Sequence, residues 1–169
     1  IFPDALKIGM VSETELIHTI VKKLKQYHAR HIVVDPVMVS TSGSRLIEDS
    51  ALDALKYELI PLSEIITPNI PEAEVLTGKK IKSKEDMIRA AQDIRQWYQG
   101  DILIKGGHFE DRADDLLYHN NEKIWLECEH IDNPNTHGTG CTLSSAIASH
   151  LASGYDMITS VRKAKDYIS

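Results

Sequence analysis

The chain has 169 residues, 42% hydrophobic and 26% charged, with a formal net charge of −6; that is the make-up of an ordinary globular protein and not of a disordered or fibrous one. No basic block concentrates positive potential, which argues against nucleic-acid or anionic-membrane partners, and no apolar run approaches the ~20 residues of a membrane span. Two cysteines, Cys128 and Cys141, give no disulfide framework, so a reducing, cytoplasmic setting is expected.

In chain order, residues 5–10, 31–37, 64–69 and 101–105 are short, nearly continuous β-branched runs, the pattern of strands buried on both faces in a parallel sheet. Helical patterns lie between them. Ser12 with Glu15 gives a capping-box signal ahead of an apolar stripe of Leu16, Ile17, Ile20, Val21 and Leu24. Asp49 or Ser50 is the candidate cap of a helix carrying Leu52, Leu55 and Leu59. Ser83 with Asp86 repeats the capping device before Met87, Ala90, Ala91, Ile94 and Trp97. Residues 113–119 and 122–129 read as two strands around Asn120-Asn121, a pair suited to a type I′ turn. That hairpin is expected to be antiparallel and near a sheet edge. A helix to about Ser153 and a last one over 155–169 complete the pattern. Alternating strands and helices predict right-handed crossovers in a layered, doubly wound α/β domain, with neither repeat nor linker to divide residues 1–169.

Asn135-Thr136-His137-Gly138-Thr139-Gly140-Cys141 precedes a small-residue helical run. A helix start leaves backbone N–H groups unpaired at the positive end of the helix dipole. Glycines let an anion approach that backbone, so the junction reads as a phosphate cradle. Cys141 falls in the first turn of the same helix. Alternatively, Gly-x-Gly marks an ordinary helix start and the cysteine is a small core residue. Zinc has a weaker claim: His130 and His137 lie near the cysteines, but no C-x-x-C or H-x-x-x-H spacing occurs.

In open α/β sheets, ligands sit beyond the carboxyl ends of the strands. Asp35-Pro36, Thr67-Pro68-Asn69 and Lys105-Gly106-Gly107-His108 stand at such ends. Asp35 either bonds loop amides or serves a ligand. Asn69 and Glu72 span Pro71, which suits a helix start. Glu72 is then either a favourable first-turn charge or, with Asn69, a holder of hydrated Mg²⁺, which takes oxygen ligands. Lys105 either reaches a nucleotide phosphate or snorkels to water. Asp114 and Asp115 either blunt an edge strand or take part in catalysis. His137 reads as a structural neighbour of the glycine turn.

Lys7-Ile8-Gly9-Met10, Asp35-Pro36-Val37-Met38-Val39, Thr67-Pro68-Asn69-x-x-Glu72, Lys105-Gly106-Gly107-His108 and His137-Gly138-Thr139-Gly140-Cys141 occur in this order along the chain. The set resembles the hydroxymethylpyrimidine/phosphomethylpyrimidine kinases of thiamin biosynthesis, and the match spans nearly the whole chain. The resemblance implies a ribokinase-like three-layer α/β/α fold with a mostly parallel central sheet and an antiparallel hairpin toward one edge. It implies an ATP-dependent kinase that phosphorylates 4-amino-5-hydroxymethyl-2-methylpyrimidine and then its monophosphate. Cys141 would be the base at the substrate hydroxyl, and the amides of Gly138, Thr139, Gly140 and Cys141 the anion hole. Met10 and Val37 would line the pyrimidine pocket. Asp35, Asn69 and Glu72 would organise Mg²⁺ and phosphate, and Lys105 would approach the nucleotide phosphates. Family members begin with a Gly-rich segment that has no counterpart here, so the single kinase domain 1–169 is expected to be incomplete at its N-terminus. A pyridoxine or pyridoxal kinase of the same fold is the neighbouring alternative, and a non-catalytic nucleotide-binding fragment the more distant one. By analogy with ribokinase-like enzymes, a homodimer is expected.

Overall fold

A computed structural model describes residues 2–39, 46–107, 114–127 and 139–168, Thr139 by its backbone alone. In chain order the elements are β1 (Leu6–Ile8), α1 (Thr14–Gln26), β2 (Ile32–Val34), α2 (Asp49–Ala54), β3 (Ile65–Ile66), α3 (Ile70–Thr77), α4 (Lys84–Arg95), β4 (Asp101–Ile104), β5 (Asp115–His119), β6 (Glu122–Leu126), α5 (Thr139–Ala152) and α6 (Met157–Ile168). The six strands form one sheet in the order β1-β2-β3-β4-β5-β6. Strands β1 to β4 pair in parallel, and β5 and β6 close the sheet in antiparallel register.

Strand pleating sends successive side chains to opposite faces, and here both faces are apolar. Ile32, Val34, Ile66, Ile102, Ile104, Leu116 and Tyr118 pack with residues of α1 to α4. Val33, Ile65, Leu103 and Leu117 pack with Leu143, Ile147 and Leu151 of α5 and Val161 and Ala164 of α6. The arrangement is three-layered, α/β/α, as the alternation of elements predicts. No helix among the described residues is long and apolar enough to cross a membrane.

The hairpin matches its sequence signal: Asn120 and Asn121 take φ of 48° and 66°, the left-handed pair that a type I′ turn requires. The helix starts depart from theirs. α1 begins at Thr14 with Glu13 in the capping position and no side-chain cap, so the Ser12/Glu15 box does not form; Ser12 lies too far upstream. Leu16 is 47% exposed, while Ile17, Val21 and Leu24 are buried. The buried stripe is thus narrower than the run of apolar residues. α2 starts at Asp49 behind Glu48, neither Asp49 nor Ser50 caps it, and it continues into a wider π-helical turn over Leu55–Leu59. Ser83 does cap α4, accepting the Asp86 N–H at 3.1 Å, but the Asp86 carboxylate accepts from Lys82 instead of closing the box. A complete capping box forms elsewhere, between Asn69 and Glu72 at the start of α3, and Gly78 ends that helix at φ 70°.

Asp114 and Asp115 do not blunt an exposed edge. Both are buried. Lys84 of α4 reaches Asp114 at 2.5 Å, and Lys165 of α6 reaches Asp115 at 2.5 Å.

Candidate active site at the carboxyl ends of the parallel strands

Four parallel strands end side by side, and Lys7 of β1 converges with Thr67 and Lys105, just past β3 and β4, on Asp35, just past β2. The Asp35 N–H still joins the ladder, donating to Ile8 O at 2.8 Å. Pro36 then stops it, having no N–H to give. The Asp35 side chain is 2% exposed, where an unpaired carboxylate would be very costly. Its Oδ1 accepts from Thr67 Oγ1 at 3.1 Å, just past β3, and from Lys105 Nζ at 3.1 Å, just past β4. Its Oδ2 faces Lys7 Nζ of β1 at 3.9 Å and Ser144 Oγ of α5 at 3.3 Å. Ser144 has one hydroxyl proton, shared between Asp35 and the carbonyls of Gly140 and Cys141 at 3.1 Å each. The first turn of α5 is therefore tied to the carboxylate at the sheet.

Gly140 lies in that first turn, and a Cβ there would come within 3.1 Å of Lys105 Nζ. The lysine ammonium thus sits directly against the α5 backbone, where the unpaired N–H groups of a helix start attract an anion. Cys141 is next along the chain, exposed, with a free thiol. Lys105 thus lies against Gly140, and Cys141 follows in the same helical turn. Gly138, His137, His108, His130, Cys128 and the Thr139 side chain lie outside the described residues.

Asn69 and Glu72 meet next to Lys105, whose strand pairs with Asn69. Asn69 Oδ1 accepts the Glu72 N–H at 2.9 Å, and Glu72 Oε2 accepts the Asn69 N–H at 2.8 Å. The sequence spacing puts these residues at one spot, but their reciprocal bonding is a helix cap. Burial pushes the Glu72 carboxyl from 4.5 up to about 7; Lys105 and the N–H groups of Asn69 and Met38 oppose the rise, and the Asp35 charge adds to it.

These donors bear on whether Mg²⁺ fits. The resemblance makes Asp35 a metal ligand, yet both its oxygens already serve lysines and hydroxyls, so direct coordination would displace one of them. Among the described residues no group of three or more His, Cys, Asp or Glu side chains gathers to hold a metal. Mg²⁺ keeps much of its water and needs only one or two carboxylates besides substrate phosphates. Asp35 and Glu72 suit that looser, water-mediated arrangement and not a closed cage.

Met10 and Val37 lie just past β1 and β2, neighbours in the sheet; Met10 is 59% exposed and Val37 half-buried. A cleft of about 780 Å³ opens at the opposite end of the sheet, lined by Leu6, Tyr27, Ala29 and His31 among others. It lies away from the Asp35 cluster. Three residues of that cluster carry no role in the sequence reading: Lys7, Thr67 and Ser144. Ser144 stands three residues after Cys141, the spacing of one helical turn, a signal that points to the site. Lys7 enters that reading only within the Lys7-Ile8-Gly9-Met10 motif, with no role of its own.

The family model described as phosphomethylpyrimidine kinase matches residues 1–169. The chain is 42% identical over 166 residues to a hydroxymethylpyrimidine/phosphomethylpyrimidine kinase of Streptomyces coelicolor, covering 98% of this chain and 61% of that relative. A crystal structure of phosphomethylpyrimidine kinase from Clostridium difficile superposes with a TM-score of 0.86 at 46% identity, over 98% of this chain and 68% of the other. The pyridoxal kinase of Staphylococcus aureus in complex with AMP-PCP superposes with a TM-score of 0.91 at 32% identity, over 99% of this chain and 62% of the other. The chain therefore spans about three fifths of the curated relative's length. With residues 1–169 matched throughout and its strand-end motifs gathered on one carboxylate, this chain belongs to the phosphomethylpyrimidine kinase family.

Proposed function

We propose that this chain carries the phosphoryl-transfer site of an ATP-dependent kinase of thiamin biosynthesis, acting on 4-amino-5-hydroxymethyl-2-methylpyrimidine and then on its monophosphate. The observation that carries the reading is the placement of Lys105 Nζ against Gly140 in the first turn of α5, with Cys141 exposed beside it. Phosphoryl transfer asks a protein mainly for in-line positioning and for neutralisation of charge on the moving group. The amides of Gly138, Thr139, Gly140 and Cys141 would receive that group, and Lys105 would offset its charge. Cys141 Sγ would take the proton of the acceptor hydroxyl as its oxygen bonds to phosphorus and the bond to ADP breaks. Met10 and Val37 would hold the pyrimidine ring, and Asn69 would stand by the nucleotide phosphates. Asp35 and Glu72 would hold Mg²⁺ through its waters; when bound, that ion neutralises phosphate charge.

The pyrimidine is favoured over pyridoxal because relatives named for it are 38% to 46% identical, against 32% to 36% for pyridoxal kinases. The AMP-PCP bound to that neighbour supports ATP as donor. The reading extends to a cytoplasmic homodimer, which sedimentation of the whole protein would show as twice the chain mass.

A coupled ATP assay against both alcohols tests the substrate; turnover of pyridoxal and not of the pyrimidine would overturn it. Cys141→Ala should lower turnover about 10²- to 10⁴-fold, the usual worth of a general base, and leave nucleotide affinity nearly unchanged. Unaltered turnover would make Cys141 a bystander.

A further inference from the structure

Both oxygens of Asp35 face a lysine, and only Lys105 has a part in the proposed kinase function. Lys7 Nζ lies 3.9 Å from Oδ2, with its side chain 20% exposed. At that distance it is an ion pair without a hydrogen bond, so it can move toward a better partner. Each ammonium occupies space that a glycine leaves open: a Cβ on Gly140 would come within 3.1 Å of Lys105 Nζ, and one on Gly9 within 2.7 Å of Lys7 Nζ. Lys7 is opposite Val33 in the β1–β2 register, and Val33 packs on the α5–α6 side. Lys7 therefore rises on the same face as α5. It comes from β1, the strand that leads to Met10, whereas Lys105 comes from the end of β4. On the kinase reading, Lys7 would stand toward the acceptor, beside Met10, and Lys105 toward the nucleotide phosphates.

The two acceptors of the proposed reaction differ in charge. The hydroxymethyl pyrimidine brings none, whereas its monophosphate brings about −1.5 to −2 at neutral pH. Transfer to the monophosphate drives one anion onto another, and demands a cation on the acceptor side that transfer to the alcohol does not. Asp35 cannot be that group, because it is itself an anion. Lys105 is already on the nucleotide side.

We propose that Lys7 leaves Asp35 to bind the phosphate of the monophosphate acceptor, and thereby makes the second transfer possible at the site of the first. This role rests on the kinase reading. If Lys7 only steadied Asp35, its loss would touch both transfers alike; the ratio between acceptors separates the two roles.

The test is steady-state kinetics of the whole protein with the alcohol and with the monophosphate as acceptors, for wild type, Lys7→Met, Lys7→Gln and Lys7→Arg. Lys7→Met should lower kcat/KM for both acceptors, but by about tenfold to a hundredfold more for the monophosphate, the worth of one charge-assisted contact. The excess should show in KM as well as kcat. Lys7→Arg, which keeps the charge, should restore most of it. Lys7→Gln keeps a donor for Asp35 without the charge, and it decides the question if Lys7→Met fails to fold. Equal losses on both acceptors, or no loss on the monophosphate, would overturn the role of Lys7 and leave the kinase reading standing. A wild-type protein that phosphorylates neither acceptor would overturn the kinase reading and this inference with it.

Discussion

Two demands meet at Glu72. As the third residue of α3 its carboxylate closes the capping box with Asn69, yet the residue is only 2% exposed. Burial raises its carboxyl to about 7, against an ordinary value of 4.5. Between those two values the folded protein holds a proton that the unfolded chain has lost. Protonation therefore favours the folded state in full below pH 4.5, and that advantage drains away as pH rises toward 7. The size is on the order of 2–4 kcal/mol. Denaturant titrations at about pH 5 and about pH 8 should show wild type losing that much more stability across the interval than Glu72→Gln, which has no charge to acquire. Identical pH dependence in the two proteins would mean that Glu72 stays ionised in the fold. The spacing of Asn69 and Glu72 is legible in the sequence, and so is their meeting. The burial is not, because the groups that face the carboxyl, Lys105 and the Met38 N–H among them, come from far away along the chain.

At the scale of elements, the turn after β4 shows how the fold fixes Lys105. A Cβ on Gly106 would overlap the carbonyl oxygen of Asp114 at 1.9 Å, a clash no side chain can relieve because the obstacle is backbone. The Gly106 N–H donates to Asp115 Oδ1 at 2.9 Å, and Asp115 is held by Lys165 of α6 while Asp114 is held by Lys84 of α4. Both helical layers thus clamp the turn that immediately succeeds the lysine. Gly106→Ala should cost about 1–3 kcal/mol, the range of a forced backbone shift in a packed interior, and should weaken nucleotide binding by displacing Lys105. A chemical denaturation midpoint equal to that of wild type would show that the turn yields easily. The strands themselves are readable from their β-branched runs, and the hairpin from its two asparagines. Their ends are not: Asp35, Thr67 and Lys105 keep their N–H groups on the neighbouring strand while their side chains turn to the site. Helix starts mislead for a related reason. Ser12 with Glu15 fits a capping box as a local pattern, but the entry of α1 is set by where its stripe of Ile17, Val21 and Leu24 meets the sheet.

For the whole molecule, the sheet is the common wall of two apolar interiors, and this bears on whether the chain is one cooperative unit. Leu103 and Ile104 are adjacent in β4 and both fully buried, yet Leu103 packs toward α5 and α6 while Ile104 packs toward α1 to α4. Neither helical layer has an interior of its own, since each borrows alternate residues from the same strands. We propose that the chain unfolds as a single domain for this reason. Trp97 and Trp125 both pack in the cluster shared with α1 to α4, so their fluorescence reports on that face. Leu103→Ala removes apolar volume from the opposite face and should destabilise by about 2–5 kcal/mol. If the sheet couples the layers, the tryptophan transition moves to lower denaturant by the same amount as the helical circular dichroism, although the cavity lies across the sheet from both rings. Ile104→Ala should shift the two signals together in the same way. A Leu103→Ala protein whose tryptophan transition stays at the wild-type position while its helical signal moves would show that α5 and α6 melt separately. The glycine turn would then ride on a layer that opens independently of Asp35, and the tie through Ser144 would be too weak to hold the site in register.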